Sequence, residues 1–348
     1  MYNINMMSSV KYVVVLLSML GLSGCSTMGY YWQAMNGHAD LLNRQQPIEE
    51  VLADKSTRPE VKQKLEQVKV IRQFASDELA LPDNDSYTQY VDLERPFAIW
   101  NVIATPKYSI KAKQWCFLFV GCINYRGYYD KQEAETYAES LRQQGYDVMV
   151  SGARAYSTLG WFDDPLLNTM LYKDDARLAG IIFHELSHQQ VYKKDYSAFN
   201  EAFAMAVEVE GVLKWLALKD DQAAIKKYNQ DFTQQIQFNQ LLRNTRDKLK
   251  VVYQGKKTDE EKAIAKNKIL IALQYDYKIL KQKWNGDDGY DKWMAQDLNN
   301  AHLALVGTYY DYVPYFRSLL REQEGNFANF YRMVEAMSDD ELKSLISE

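Results

Sequence analysis

Residues 181–188 read Ile-Ile-Phe-His-Glu-Leu-Ser-His, and no other stretch limits so sharply what this chain can fold into. His184 and His188 stand four residues apart in an apolar run that includes Leu178, Ile181, Ile182 and Phe183. On a helix that spacing places both imidazoles on one face, side by side. One helix turn gives the separation that a single tetrahedral metal ion needs. Glu185, offset by about 100° around the axis, then lies where it can take a proton from an attacking water. The chain has only 4 histidines, so two of them are committed to this helix. An idle pair on a solvent-facing helix is the competing reading, and the apolar neighbours argue against it.

A third ligand is expected from the next segment, Ser197-Ala-Phe-Asn-Glu-Ala-Phe-Ala-Met-Ala-Val-Glu. Asp195-Tyr196 turns the chain and Ser197 suits a helix start, which puts Glu201 in the first turn of a second helix running back beside the first. Two histidines and a carboxylate leave a fourth position open, the arrangement of a catalytic rather than a structural zinc. Glu208 and Glu210 on the same helix compete for the role, and a bare capping role for Glu201 is the alternative.

The pattern His-Glu-x-x-His is the zincin signature, and Asn200-Glu201-Ala-Phe-Ala resembles the Asn-Glu-x-x-Ala helix of gluzincins. The wider set (LAGIIFHELSHQ, FNEAFAMAVEVEG, AYSTLGWFDDPLL, WCFLFVGCINYRGYYD and NNAHLALVGTYYDYVP) resembles a family of predicted bacterial aminopeptidases, mostly lipoproteins, over residues 29–330. The resemblance implies a metal on His184, His188 and Glu201, with Glu185 as the catalytic carboxylate.

Residues 1–24 carry one charge, Lys11, followed by an apolar run over 12–22, the length of a signal-peptide core and too short to span a bilayer. Leu22-Ser23-Gly24-Cys25 resembles a lipobox, which implies cleavage before Cys25 and acylation of that cysteine. Ser26, rather than Asp, favours the outer membrane, so the folded part is expected to face the periplasm. In that oxidising compartment the two remaining thiols, Cys116 and Cys122, are expected to form a disulfide. Two buried free thiols on neighbouring strands are the alternative.

The chain divides in texture. Apolar residues at three- and four-residue intervals over 46–81 (Ile48, Val51, Leu52, then Val61, Leu65, Val68, Ile71 and Phe74) predict two amphipathic helices. β-Branched and aromatic runs predict strands at 87–93, 97–104, 108–120, 123–129 and 147–156, antiparallel where the gaps are short, with a helix at 131–144 ended by Gly145. Beyond Asp174 the pattern is helical over 174–194, 197–219, 231–253, 258–284, 290–309, 313–323, 326–336 and 338–346. Residues 221–286 read as a helical hairpin insertion, with Phe232, Ile236, Leu242, Leu249 and Val252 facing one way. The expected fold is α+β and zincin-like, a single domain over 25–348 in which β and α parts share one core.

Residues 156–165 are polar, aromatic and acidic together. Tyr156 and Ser157, on an edge strand over 151–158, are candidates for pairing with an extended peptide. Asp163 or Asp164 could hold a substrate amine, or could cap the turn before Pro165. An oxyanion stabiliser is also required, and Tyr309 and Tyr310, on the helix expected over 290–309, are the candidates by position. His302 reads as a core or surface residue.

The chain is 47% hydrophobic with a net charge of −5, so disorder and a nucleic-acid partner are both excluded. The expected activity is zinc-dependent peptide hydrolysis by a monomeric aminopeptidase, held to the membrane through Cys25. The rivals are an idle envelope scaffold and a metal amidase acting on peptidoglycan stem peptides. An intact Glu185 argues against the scaffold, which needs no general base.

Overall fold

The computed structural model describes residues 28–117, 121–155, 163–171, 174–307 and 309–347. Cys25 and the export segment expected at 1–24 lie outside them. A first helix, α1, covers 28–43. It is followed by β1 (Gln46–Pro47), α2 (Ile48–Ala53) and α3 (Pro59–Leu79). Pro59 opens α3 at a position whose N–H needs no partner, and Ala80 closes it in the left-handed region at φ 51°.

Among the described residues the β part is three small sheets. β1, β2 (Gln89–Val91) and β8 (Leu166–Leu167) lie in that order, β1 antiparallel and β8 parallel to β2. β6 (Arg126–Tyr128), β3 (Ile99–Pro106) and β7 (Tyr146–Ala153) form an antiparallel sheet in which β3 and β7 pair from Ile99 opposite Ala153 to Pro106 opposite Tyr146. β4 (Trp115–Phe117) and β5 (Gly121–Ile123) make a hairpin that sets Cys116 opposite Cys122, and a disulfide joins them. α4 (Lys131–Gln143) begins where Asp130 accepts the Glu133 N–H, ends before Gly145 at φ 85°, and packs Ala134, Ala138 and Leu141 on the sheet. The architecture is mixed α+β.

The His-Glu-x-x-His segment sits where α5 (Asp175–Gln190) and α6 (Ser197–Leu218) run side by side. Asp174 caps α5 by accepting the Arg177 N–H. Between the helices the chain reverses through Asp195, at φ 69°. Buried Asn200 clamps that reversal: its amide accepts the Lys193 N–H at 2.8 Å and donates to the Lys193 carbonyl at 2.8 Å. α6 is apolar around nearly its whole circumference, as a helix enclosed on all sides must be. On one side a Cβ at Gly211 would come within 2.7 Å of Leu79 and 3.0 Å of Phe183, so only glycine allows α3 and α5 to approach this closely. On the other side Phe199 and Phe203 meet Phe316 of α11 (Val313–Glu322), and Phe203 stacks on Phe330 of α12 (Phe327–Ala336).

α7 (Gln222–Gln254) and α8 (Asp259–Lys283) form the hairpin, and a Thr258–Glu261 capping box starts α8. α9 (Asp291–Met294), α10 (Asn300–Ala304) and α13 (Asp339–Ser347) complete the chain.

Four expectations need correction. Residues 290–309 are not one helix: Asn299 caps a new start at α10, and its side chain also donates to the Val148 carbonyl of β7, which bends the chain onto the sheet. Only Trp115–Phe117 of the strand expected at 108–120 is extended among the described residues. Ile236 points outward on α7, while Phe238 takes the buried place. Among the described residues the core is also three apolar clusters rather than one: one that α3, α5 and α6 share with β2 and β8, one between the hairpin and α9–α10, and one between α4 and its sheet.

Asn200→Ala removes both hydrogen bonds of the clamp and leaves the Lys193 backbone unpaired. Urea unfolding is expected to show a loss of about 1–3 kcal/mol.

Candidate metal centre

The two helices bring His184, His188 and Glu201 together, with one possible ligand atom from each lying within 4.8 Å of the others. The imidazole rings stand edge to face, with centroids 4.9 Å apart, as four-residue spacing on α5 dictates. Tyr196 rather than Ser197 takes the N-cap place, so Glu201 enters from the second turn of α6 and not, as expected, from the first. One carboxylate oxygen is 3.4 Å from His184 Nε2 and the other 3.7 Å from His188 Nε2. Both Nε2 atoms and the carboxylate therefore face one point.

Glu208 and Glu210 are engaged elsewhere. Glu208 lies two turns along α6 from Glu201, about 10 Å at the helical rise, and its carboxylate meets His184 Nδ1 at 3.0 Å. The His184 ring is thus held between two carboxylates of one helix. A Cβ at Gly180, one turn before His184, would stand 3.1 Å from the Glu208 carboxylate, so the bare glycine leaves the room that this contact occupies. Glu210 accepts from Arg317 Nε at 2.6 Å across to α11.

The electrostatics fit a cation at the shared point. Burial opposes charge on His184, but hydrogen bonds to Glu201 and Glu208 outweigh it, and its pKa is pushed up to about 10. Without a metal, a proton on His184 supplies the positive charge between the carboxylates. His188 is pushed down to about 4, by burial first and then by the charge on His184. Neutral His188 has a buried Nδ1 with no hydrogen-bond partner among the described residues, and its Nε2 is too far from Glu201 for a good hydrogen bond. A metal ion at Nε2 would give that nitrogen the close partner it lacks. Burial alone would raise the Glu201 pKa, but the two histidines hold it below the usual value, so the carboxylate is ionised and ready to bind.

The other candidate residues are scattered. Glu185 is half-buried on α5, and the Tyr87 phenol, pushed well up first by burial, feels the charges of both Glu185 and Asp164. Asp164 is only 1% exposed and its backbone carbonyl accepts the Tyr87 N–H, so a substrate amine in solvent would meet exposed Asp163 instead. Tyr156 and Ser157 lie outside the described residues. The Tyr310 ring is buried, and its hydroxyl accepts from Gln235 of α7 at 2.5 Å. His302 caps α10, its Nδ1 accepting the Asn299 N–H. Gln235 and His302 both line a cavity of about 340 Å³ between the β3–β7 face and the hairpin, walled also by Phe238, Tyr290 and Trp293.

Two features escape a reading of the sequence. Tyr125, in the turn between β5 and β6, is raised first by burial and then by Glu201, which places a neutral phenol within electrostatic reach of the metal ligands. Nothing local marks it among 26 tyrosines. Glu208 braces His184 rather than competing for the ion, and the available signal was its two-turn spacing from Glu201.

A family model described as "Putative aminopeptidase" matches residues 29–344. No curated protein and no solved structure matches the chain.

A metal ion can bind His184 only once its proton has left. Zinc titrated into metal-free protein is therefore expected to release about one proton per ion, and affinity to rise about tenfold per pH unit from about pH 6 to about pH 8. Calorimetry in buffers of unlike ionisation enthalpy reads both. Glu201→Gln is expected to empty the site, and Glu208→Gln to weaken zinc binding about 10- to 100-fold. Full zinc content in the first variant and none in the second would make Glu208 the ligand.

Proposed function

The chain belongs to this aminopeptidase family, and we propose that it is a zinc metallopeptidase, held at the outer membrane through acylated Cys25 and hydrolysing peptides in the periplasm. The observation that carries the reading is the convergence of His184, His188 and Glu201 on one point beside Glu185. Two imidazoles and one carboxylate are the donor set of catalytic zinc sites, which keep a position open for substrate or water. Zinc bound there supplies Lewis acidity, polarising a peptide carbonyl and making water a competent nucleophile near neutral pH.

The chain's own residues do the rest. Glu185, adjacent to His184 on α5 but on a different azimuth, takes the proton of the attacking water and delivers it to the leaving amine. Glu208 keeps the His184 Nδ1 proton occupied, so Nε2 presents its lone pair toward Glu201 and the ion. Tyr125 stays neutral at physiological pH and can donate its hydroxyl proton to the oxygen on which charge develops, a role for which the more deeply buried Tyr310 is less accessible. Asp163, exposed ahead of β8, offers a carboxylate to the free amino terminus of a substrate.

Glu185→Gln is expected to lower turnover of a peptide library, read by mass spectrometry, by about 10²- to 10⁴-fold while zinc content stays at the wild-type level. Equal loss of zinc and activity would show that Glu185 serves the metal instead. Tyr125→Phe is expected to cost about 10²- to 10³-fold in kcat with little change in KM, and Tyr310→Phe much less. The reverse order would return the donor role to Tyr310. Wild-type protein that cleaves no peptide, with or without chelator, would overturn the assignment as a peptidase.

A further inference from the structure

Helix α1 has its polarity inverted. Its inner stripe is Tyr30, Gln33, Gly37 and Leu41, spaced three to four residues apart on one face. Tyr30 stacks on Phe117, with ring centroids 5.2 Å apart, under the Arg126 guanidinium. The Gln33 amide donates to the Gly127 carbonyl and accepts the Tyr129 N–H along β6. At Gly37 a Cβ would stand 2.1 Å from the Tyr129 ring, so α1 lies as close to the β part as a helix can. Leu41 is fully buried. These contacts fix which way the opposite face must point.

That opposite face carries Met28, Trp32, Met35, Ala39 and Leu42, which fall within a single stripe of about 80° on a helical wheel. Met28 is 75% exposed, Trp32 67%, Met35 67% and Leu42 44%. A helix packed on a sheet ordinarily turns charged or polar residues to solvent. Here the outward stripe is the more apolar one and no charged residue falls within it, while exposed Asn36 and Asp40 flank it on one side.

The sequence indicates what covers this face. Only Ser26 and Thr27 separate Cys25 from Met28, a reach of about 10 Å for an extended chain. We infer that the Met28–Trp32–Met35–Leu42 face of α1 lies in the lipid headgroup region of the bilayer to which Cys25 is attached. The anchor then joins a flat apolar contact about 20 Å long that fixes the orientation of the folded body, instead of a loose tether. Tryptophan and methionine suit this place: the indole prefers the boundary between hydrocarbon and water, and methionine adapts to an irregular surface. The inference rests on the lipidation of Cys25, but it makes a separate claim about α1.

The test keeps the two claims apart. The full mature chain with Cys25→Ser cannot be acylated, and it is mixed with vesicles of phosphatidylethanolamine and phosphatidylglycerol carrying brominated acyl chains. Co-sedimentation and quenching of tryptophan emission are expected, and Trp32→Phe should remove the quenching without altering sedimentation greatly. Trp32→Gln with Met35→Gln should lower partitioning about tenfold or more, while circular dichroism and the unfolding midpoint stay unchanged, because neither side chain packs inward. Equal partitioning of this double variant and its parent would overturn the inference. So would a Cys25→Ser chain that ignores vesicles while the acylated chain fractionates with membranes, a result that leaves lipidation intact. A concentration-dependent dimer abolished by Trp32→Gln, with no vesicle binding, would assign the face to a second copy and would also overturn it.

Discussion

The imidazole of His184 lies between two carboxylates of a single helix, and the organisation of the centre depends on that three-body contact. Glu201 approaches Nε2 and Glu208 holds Nδ1, at 3.4 Å and 3.0 Å. The two-turn interval between them matches the span across the ring. The contact sets the tautomer, directs the free lone pair and places α6 in register with α5. It also explains why the site tolerates so much buried charge. Without a metal a proton balances the carboxylates; with one the proton leaves and the ion takes over its electrostatic work. The protein therefore needs little rearrangement to pass between the two states.

The surroundings divide the labour between rigid and adaptable parts. α6 is enclosed by α3 and α5 on one side and by the phenylalanines of α11 and α12 on the other, which keeps Glu201 and Glu208 in place. Close-packed interiors of this kind transmit displacement, so the glycines at 180 and 211 matter as much as the ligands. The groups we propose to meet a substrate come from short connections instead: Tyr125 from a strand turn and Asp163 from the segment before β8. Loops on a stiff frame are the usual place for such residues.

Much of this was legible in the sequence wherever local chemistry decides structure. The His184–His188 spacing, the helix starts at Asp174 and Thr258, the turn at Asp195 and the hairpin at 221–286 rest on contacts within a few residues, and the structure places all of them. Where the deciding partner is distant, the sequence is silent. Helix α1 cannot be oriented from its pattern because its most apolar stripe faces outward and its inner stripe includes Gln33 and Gly37, and the parallel pairing of β2 with β8 joins segments about 75 residues apart. The break in 290–309 depends on Asn299 finding the Val148 carbonyl, and the influence of Glu201 on Tyr125 joins residues 76 positions apart. Glu208 was visible as a residue, but its role was not, because that role requires the space left by Gly180.

The Gln33 side chain has one more consequence. By donating to Gly127 and accepting from Tyr129 it behaves as a single peptide unit of a missing strand, and it closes the β6 edge of a three-stranded sheet. Exposed strand edges are templates for other chains, and the danger grows when many copies are crowded together. A ribbon can lengthen only if each sheet offers two edges. With Gln33 on β6 and Asn299 on the Val148 carbonyl of β7, side chains occupy backbone groups on both outer strands, which removes part of the template that such pairing needs.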